Sequence, residues 1–129
     1  MTARSPPLAG RFRLIIVDDN ADAGSSLGML LQLSGYDVFV VQSGRDALDA
    51  LDDFAPDAMI LDLAMPRMSG LELARRVRRL PAWAELPLIA VTGQSMDEDR
   101  RAAKAAGIDF HFLKAAPSEP LLRTLISLQ

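Results

Sequence analysis

From residue 13 onward, short runs of consecutive apolar residues alternate with longer stretches in which apolar residues recur every three or four positions. The short runs predict β-strands, and the amphipathic stretches predict helices. The strand candidates are residues 14–17, 38–41, 58–61, 88–91 and 110–113. Four of these runs are apolar without alternation, which is typical of parallel strands that helices cover on both faces.

Residues that begin and end helices stand between the strand candidates. The serines expected to cap helix N-termini, each followed by an acidic residue within three positions, are Ser43, Ser69, Ser95 and Ser118. Gly35 and Gly107 stand where helix C-termini are expected. Five strand–helix units in succession predict an α/β fold: a doubly wound, five-stranded parallel sheet of order 2-1-3-4-5 in a flavodoxin-like (βα)5 sandwich.

The length of 129 residues, half of them hydrophobic, suits one compact domain. Residues 1–12 contain two prolines and lack the apolar stretch of a signal peptide, so we expect a disordered tail before a domain at 13–129. We find no run long enough to span a membrane and therefore expect a cytoplasmic protein without a membrane partner.

Composition excludes several kinds of site. The chain has no cysteine and one histidine, which removes disulfides, thiol catalysis and zinc centres. A net charge of −3 argues against nucleic acid as a partner. The arginine-rich stretch 75–79 alternates with apolar residues and follows Glu72, so we interpret it as a solvated helix face. We assign Trp83 to packing or to the surface.

Reactive side chains follow four of the five strand candidates. Asp18 and Asp19 follow the first, Asp62 the third, Thr92 the fourth and Lys114 the fifth. In an open α/β sheet the ligand site lies at the carboxyl ends of the strands, beside the point where strand order reverses. If the first and third strands are neighbours, three carboxylates converge there, with a hydroxyl and an ammonium on the far side.

Such a cluster of carboxylates needs a cation, because like charges disfavour ionisation of one another. Oxygen ligands without a thiol or imidazole select Mg²⁺, or Mn²⁺, over zinc and copper. A threonine hydroxyl can donate to a phosphoryl oxygen, and a lysine can act on it as a point charge. The set therefore fits the transfer of a phosphoryl group to a carboxylate.

The residues in this pattern resemble the marker positions of response-regulator receiver domains. The matching segments are residues 14–20 (LIIVDDN), residues 61–70 (LDLAMPRMSG), the triplet 91–93 (VTG) and Lys114. The resemblance covers residues 13 to about 128. It implies that Asp62 is the phospho-acceptor and that Asp18, Asp19, Asp62 and the backbone carbonyl of Ala64 bind Mg²⁺. It further implies that Thr92 is the switch hydroxyl and that Lys114 contacts the phosphoryl group.

By the same resemblance the protein is a signalling module and not an enzyme. It would receive its phosphoryl group from a sensor histidine kinase or a histidine phosphotransfer protein. Phosphorylation would alter the surface of the fourth helix, fifth strand and fifth helix, where an effector or a second copy of the chain would bind. His111 lies three residues before Lys114, where the family has a switch aromatic; an ordinary edge-strand position is the alternative.

Residues 97–100 (DEDR), residues 106–109 (AGID) and His111 look more like receivers of hybrid sensor kinases than like those fused to DNA-binding domains. Because the chain ends after the fifth predicted helix, we expect a stand-alone regulator or a receiver taken from a longer kinase.

One departure from the family follows the lysine, where Ala115 replaces the usual proline. A cis bond before alanine would cost about 2.5 to 4 kcal/mol, so we expect a trans peptide and a more permissive loop, in which the contact of Lys114 with the phosphoryl group forms mainly in the activated state. Ala64 and Gln94 stand at variable positions that affect how water reaches a phosphoaspartate.

Two other functions compete with phospho-acceptance. An aspartate-nucleophile phosphohydrolase needs its nucleophile and general acid two residues apart after the first strand, whereas Asp18 and Asp19 are adjacent and Asn20 follows. A receiver-like docking domain that no longer accepts phosphate is supported only by the altered Lys114-Ala115 junction. Retention of the three acids, Thr92 and Lys114 weighs against it.

Overall fold

The computed structural model describes residues 11–93 and 97–129, with the side chains of 97–99 outside the description. Its elements in chain order are β1 (Arg13–Val17), α1 (Ala21–Leu33), β2 (Asp37–Val41), α2 (Gly44–Phe54), β3 (Ala58–Leu61), α3 (Gly70–Arg79), a short 3-10 helix (Pro81–Trp83), β4 (Leu88–Thr92), α4 (Asp97–Ala105), β5 (Phe110–Leu113) and α5 (Glu119–Ser127). None of the helices in the described part of the chain is long and apolar enough to cross a membrane.

The five strands form one parallel sheet in the order β2-β1-β3-β4-β5. This confirms the predicted doubly wound fold. The bounds of β3 and β5 match the prediction, and the other three strands are each one residue longer. The added residues are polar, which is why the apolar runs alone did not include Arg13, Asp37 and Thr92.

Alternate residues of the inner strands face opposite sides of the sheet, so the protein has two cores. Along β1, Ile15 and Val17 belong to the core under α2, α3 and α4, whereas Leu14 and Ile16 belong to the core under α1 and α5. All four side chains are buried, as expected of a strand covered on both faces.

Two of the predicted serine caps are confirmed. The hydroxyl oxygens of Ser43 and Ser69 accept hydrogen bonds from backbone N–H groups three residues on, at 3.0 and 3.2 Å. Ser118 stands directly before α5, where the sequence predicts a helix start, but its backbone is helical (φ −77°, ψ −12°) and its side chain makes no capping bond. Ser95 lies outside the described residues.

The two glycines predicted to end helices have left-handed backbone conformations. Gly35 has φ +100° and Gly107 has φ +95°, a region that favours glycine.

At the N-terminus, residues 1–10 of the predicted tail lie outside the described residues. Phe12, also assigned to the tail, packs edge-on against Tyr36 with ring centroids 6.2 Å apart, so the packed structure includes at least one residue before the predicted boundary.

Candidate functional site

The carboxyl ends of β1 and β3 lie side by side, because Val17 pairs with Leu61 in the sheet. The next residue of each strand is an aspartate. The backbone N–H of Asp18 donates to the carbonyl oxygen of Val41 at 3.1 Å, and that of Asp62 donates to the carbonyl oxygen of Val17 at 2.9 Å. Both aspartates are therefore fixed at the edge of the sheet, as the strand order predicts.

Asp18, Asp19 and Asp62 each offer a carboxylate oxygen to one cluster, and these three oxygens lie within 4.8 Å of one another. Asp18 and Asp62 are 6% exposed, while Asp19 is open to solvent. Three hard oxygen donors at this spacing could hold a divalent ion such as Mg²⁺. The predicted convergence of the three acids is what the structure shows.

Lys114 lies between the two buried carboxylates. Its ammonium Nζ is 2.8 Å from Asp18 Oδ2 and 3.1 Å from Asp62 Oδ2. The sequence placed this ammonium on the far side of the cluster, whereas in the structure it bridges the two carboxylates. The permissive loop after the lysine stays a prediction. The peptide bond to Ala115 is trans, as expected. The Lys114 N–H also donates to the carbonyl oxygen of Thr92 at 2.8 Å, which fixes the start of the loop.

The other oxygen of each buried carboxylate accepts a backbone hydrogen bond from two residues further on. Asn20 N–H donates to Asp18 Oδ1 at 2.9 Å, and Ala64 N–H donates to Asp62 Oδ1 at 3.2 Å. The Asn20 side chain meanwhile caps α1 by accepting from Ala23 N–H at 3.1 Å. Sequence analysis missed this role of Asn20, although asparagine directly before an amphipathic stretch is a capping signal.

The electrostatics of the site favour an additional cation. Burial raises the pKa of Asp62 above its ordinary value; the hydrogen bonds from Lys114 and Ala64 oppose this, and the charge of Asp18 adds to it. Burial lowers the pKa of Lys114, but its bonds to Asp18 and Asp62 outweigh burial and raise it overall. One protonated lysine facing three carboxylates leaves a negative cluster, and the oxygen-only donor set fits Mg²⁺.

Thr92 is the last residue of β4 and is 4% exposed. It lines an open recess of about 540 Å³ together with Asp62, Ala64 and Lys114, which places the predicted hydroxyl at the predicted site. His111 does not line this recess. It is half-buried in β5 and lines a separate groove beside α4. Gln94 lies outside the described residues.

The arginine-rich stretch is only partly the solvated face that the sequence predicted. Arg75 and Arg76 pair with Glu72 at 3.7 and 2.9 Å on the exposed side of α3. Arg78 instead donates to three carbonyl groups and one carboxylate, with donor–acceptor distances of 2.6 to 3.1 Å. These acceptors are Ala84 O, Leu86 O, Gly107 O and Asp109 Oδ2.

Trp83, assigned to packing or to the surface, packs against the core under α2, α3 and α4. Its indole N–H donates to Asp52 Oδ1 at 3.0 Å. The side chain thus links the 3-10 helix to α2 and lies outside the carboxylate site.

The sequence matches the response regulator receiver domain family over residues 14–126. Among curated proteins it is similar to the response regulator MprA of Mycolicibacterium vanbaalenii, with 36% identity over 116 residues that cover 90% of this chain and 49% of that protein. The chain therefore spans about half the length of this relative.

Solved structures give the same picture of the fold. Chemotaxis protein CheY4 of Vibrio cholerae superposes with a TM-score of 0.87 at 28% identity, covering 93% of this chain and 100% of that one. The signal receiver domain of a histidine kinase from Syntrophus aciditrophicus superposes with a TM-score of 0.83 at 28% identity, covering 91% and 89%. Similarity thus extends both to a chemotaxis protein and to a receiver within a kinase.

Proposed function

The chain belongs to the response regulator receiver domain family of two-component systems, and on this premise we propose that Asp62 accepts a phosphoryl group. The observation that carries the proposal is the pair of buried carboxylates, Asp18 and Asp62, bridged by Lys114 at the carboxyl edge of the sheet. The exposed Asp19 completes an oxygen cluster beside them. A fold alone would not support this function, whereas these side chains in this arrangement do.

Mg²⁺ is the cofactor that this donor set fits. Asp18, Asp19 and Asp62, with the backbone carbonyl of Ala64, are the groups that would hold it. When bound, the ion supplies positive charge that offsets the carboxylates and the incoming phosphoryl oxygens.

The protein's own groups position the reaction. An oxygen of the Asp62 carboxylate attacks phosphorus, an O–P bond forms, and the bond from phosphorus to the donor breaks as the leaving group departs with its electron pair. The Lys114 ammonium, already within 3.1 Å of Asp62 Oδ2, moves onto a phosphoryl oxygen. The Thr92 hydroxyl donates to another, so both groups stabilise charge on the transferred group.

The proposed conformational change starts from the hydrogen bond between the backbones of Lys114 and Thr92. The Lys114 N–H donates to the Thr92 carbonyl at 2.8 Å, so the ends of β4 and β5 are joined at the site, and we propose that a change at Thr92 or Lys114 passes between them. We assign the changed surface to α4, β5 and α5, with His111 on β5 as a switch residue. A sensor histidine kinase or histidine phosphotransfer protein would be the donor, and an effector or a second copy of the chain the recipient.

These roles describe a cytoplasmic signalling module in which phosphorylation shifts a conformational equilibrium. Asn20 argues against a phosphohydrolase, because it lies two residues after Asp18, where such an enzyme would need its general acid. Its side-chain oxygen caps α1 and has no proton to supply as a general acid.

Incubation with acetyl phosphate and Mg²⁺, followed by intact mass spectrometry, tests the proposal. We expect one added phosphoryl group, and none in EDTA. An Asp62→Ala variant should stay unmodified, while Asp53→Ala, which changes an exposed aspartate on α2, should behave as wild type. Labelling that persists in Asp62→Ala, or that proceeds equally well in EDTA, would refute the proposal.

A further inference from the structure

Gly70, the first residue of α3, lies against the backbone of the acceptor residue. Its N–H donates to the carbonyl oxygen of Leu63 at 3.0 Å. A Cβ atom at this position would overlap the carbonyl oxygen of Asp62 and would lie 2.7 Å from Leu63 Cα and 2.9 Å from the Asp62 carbonyl carbon. These contacts are with main-chain atoms, so no side-chain rotation can relieve them.

We propose that Gly70 is a positioning residue for the Asp62 carboxylate, because the absence of a side chain at position 70 lets the acceptor peptide take its place against α3. The inference rests on the proposed role of Asp62. Unlike Gly35 and Gly107, Gly70 does not have a positive φ. Position 70 therefore requires the absence of a side chain and not an unusual backbone conformation. Helix propensity alone would favour alanine at this position.

The helix is the firmer of the two partners in this contact. Leu73, Ala74 and Val77 on its inner face are fully buried, and Ser69 caps its N-terminus. The peptide between Asp62 and Leu63 comes after the end of β3 and belongs to no helix or strand. An added methyl group would therefore displace the peptide between Asp62 and Leu63 and leave α3 in place.

That displacement reaches the reacting atoms through two contacts. Ala64 N–H, which follows the displaced peptide, donates to Asp62 Oδ1 at 3.2 Å, and Lys114 holds Asp62 Oδ2 at 3.1 Å. Relief of the overlap requires a shift of roughly 1 Å, and a misplacement of that size can cost on the order of a hundredfold in rate.

The test is the Gly70→Ala variant, and the chain offers a close control. Gly44 is likewise the first residue of a helix after a capping serine, and a Cβ there would meet side-chain atoms of Met68, 2.6 Å from its sulfur and 3.1 Å from its Cγ, and no main-chain atom among its nearest neighbours. Both variants would be phosphorylated with phosphoramidate and saturating Mg²⁺. The rate constant per folded molecule is the readout, since a loss of stability lowers only the folded fraction.

We expect Gly70→Ala to slow phosphorylation by about ten- to a hundredfold and to shift the ¹⁹F spectrum of its beryllofluoride adduct, with α3 still folded by amide exchange. Gly44→Ala should stay within about twofold of wild type. A Gly70→Ala rate within twofold of wild type would overturn the inference. So would a variant that fails to fold, since the core and not the loop would then need the glycine. A wild-type chain that accepts no phosphoryl group would instead refute the proposed function.

Discussion

The ammonium of Lys114 lies 2.8 Å from a carboxylate oxygen of Asp18 and 3.1 Å from one of Asp62, two residues that follow neighbouring strands. The same lysine therefore offsets the repulsion between the two buried acids before any phosphoryl group arrives. In the proposed reaction the ammonium exchanges one of these partners for a phosphoryl oxygen. This exchange of partners connects the chemistry of the site to the loop before α5.

Removing the lysine charge should destabilise the metal-free protein. We predict that Lys114→Met lowers the free energy of unfolding in EDTA by about 1 to 3 kcal/mol, less than for a fully buried pair because the lysine side chain is 31% exposed. Saturating Mg²⁺ should restore most of this loss, since it supplies the missing positive charge. Urea unfolding with and without Mg²⁺ measures both effects.

Lys104, the only other lysine of the chain, is exposed on α4 and provides the control. Lys104→Met should change the unfolding free energy equally in EDTA and in Mg²⁺. If Mg²⁺ stabilises wild type and Lys114→Met by the same amount, the lysine does not offset the carboxylate cluster.

Asp62 should make stability depend on pH. Burial raises its pKa in the folded state, so folding favours the protonated form, and the contribution of Asp62 to the stability of wild type falls as pH rises from the unfolded value near 3.8 through the folded value. Asp62→Asn stays neutral throughout. In EDTA we therefore predict that this variant is more stable than wild type at pH 7 and that the difference disappears below pH 3.8.

Urea unfolding of both proteins between pH 3.5 and 7.5 checks this sign. Asp53→Asn, an exposed change on α2, should show no comparable trend. An Asp62→Asn protein that is less stable than wild type at neutral pH would show that the bond to Lys114 outweighs the cost of burying the charge.

The lifetime of a phosphoaspartate depends on whether a side chain holds water in line for attack. Ala64 is exposed, lines the recess above Asp62 and has no polar group for this purpose. We predict that Ala64→Asn shortens the phosphorylated half-life by about tenfold, because its amide can orient a water molecule. Ala64→Val, which adds size without polarity, should not shorten it. Decay followed by intact mass decides between them, and slower loss in Ala64→Asn would contradict the water-positioning argument.

Arg78 should matter for stability and not for phosphorylation. Its guanidinium satisfies the carbonyl groups of Ala84, Leu86 and Gly107, which precede β4 and β5 at the end of the sheet opposite Asp62. We predict that Arg78→Ala costs about 2 to 3 kcal/mol in unfolding free energy, because partly buried acceptors lose their donor. Arg75→Ala, which removes a 3.7 Å surface pair, should cost less than about 0.5 kcal/mol.

The rate of phosphorylation per folded molecule separates a role in stability from a role in phosphorylation. This rate should match that of wild type in both arginine variants. A rate change in Arg78→Ala that exceeds the change in folded fraction would indicate that this end of the sheet is coupled to the site.

The fold was predictable because its signals are local in sequence. Runs such as residues 58–61 carry strand propensity, and Ser69 with Glu72 marks the start of α3. The three acids of the site were also predictable, because a parallel sheet brings the ends of its strands to one edge. Asp18 and Asp62 needed only the strand order.

The contacts that prediction missed join residues far apart in the chain. Lys114 and Asp62 are separated by 52 positions, and Arg78 and Gly107 by 29. No periodicity encodes which partner a long side chain reaches after folding. The failed cap at Ser118 has another cause: a serine near an acidic residue and a proline matches the capping signal, but its backbone here continues the helical conformation instead of being extended.

The proposed function is tested most directly by identifying the residue that carries the phosphoryl group. Borohydride reduces an aspartyl phosphate to homoserine, so treatment of the phosphorylated wild-type chain followed by peptide sequencing by mass spectrometry marks the modified position. We expect homoserine at position 62 alone, and only after incubation with Mg²⁺. Homoserine at position 18 or 19, or a phosphorylated chain with no homoserine at all, would contradict it.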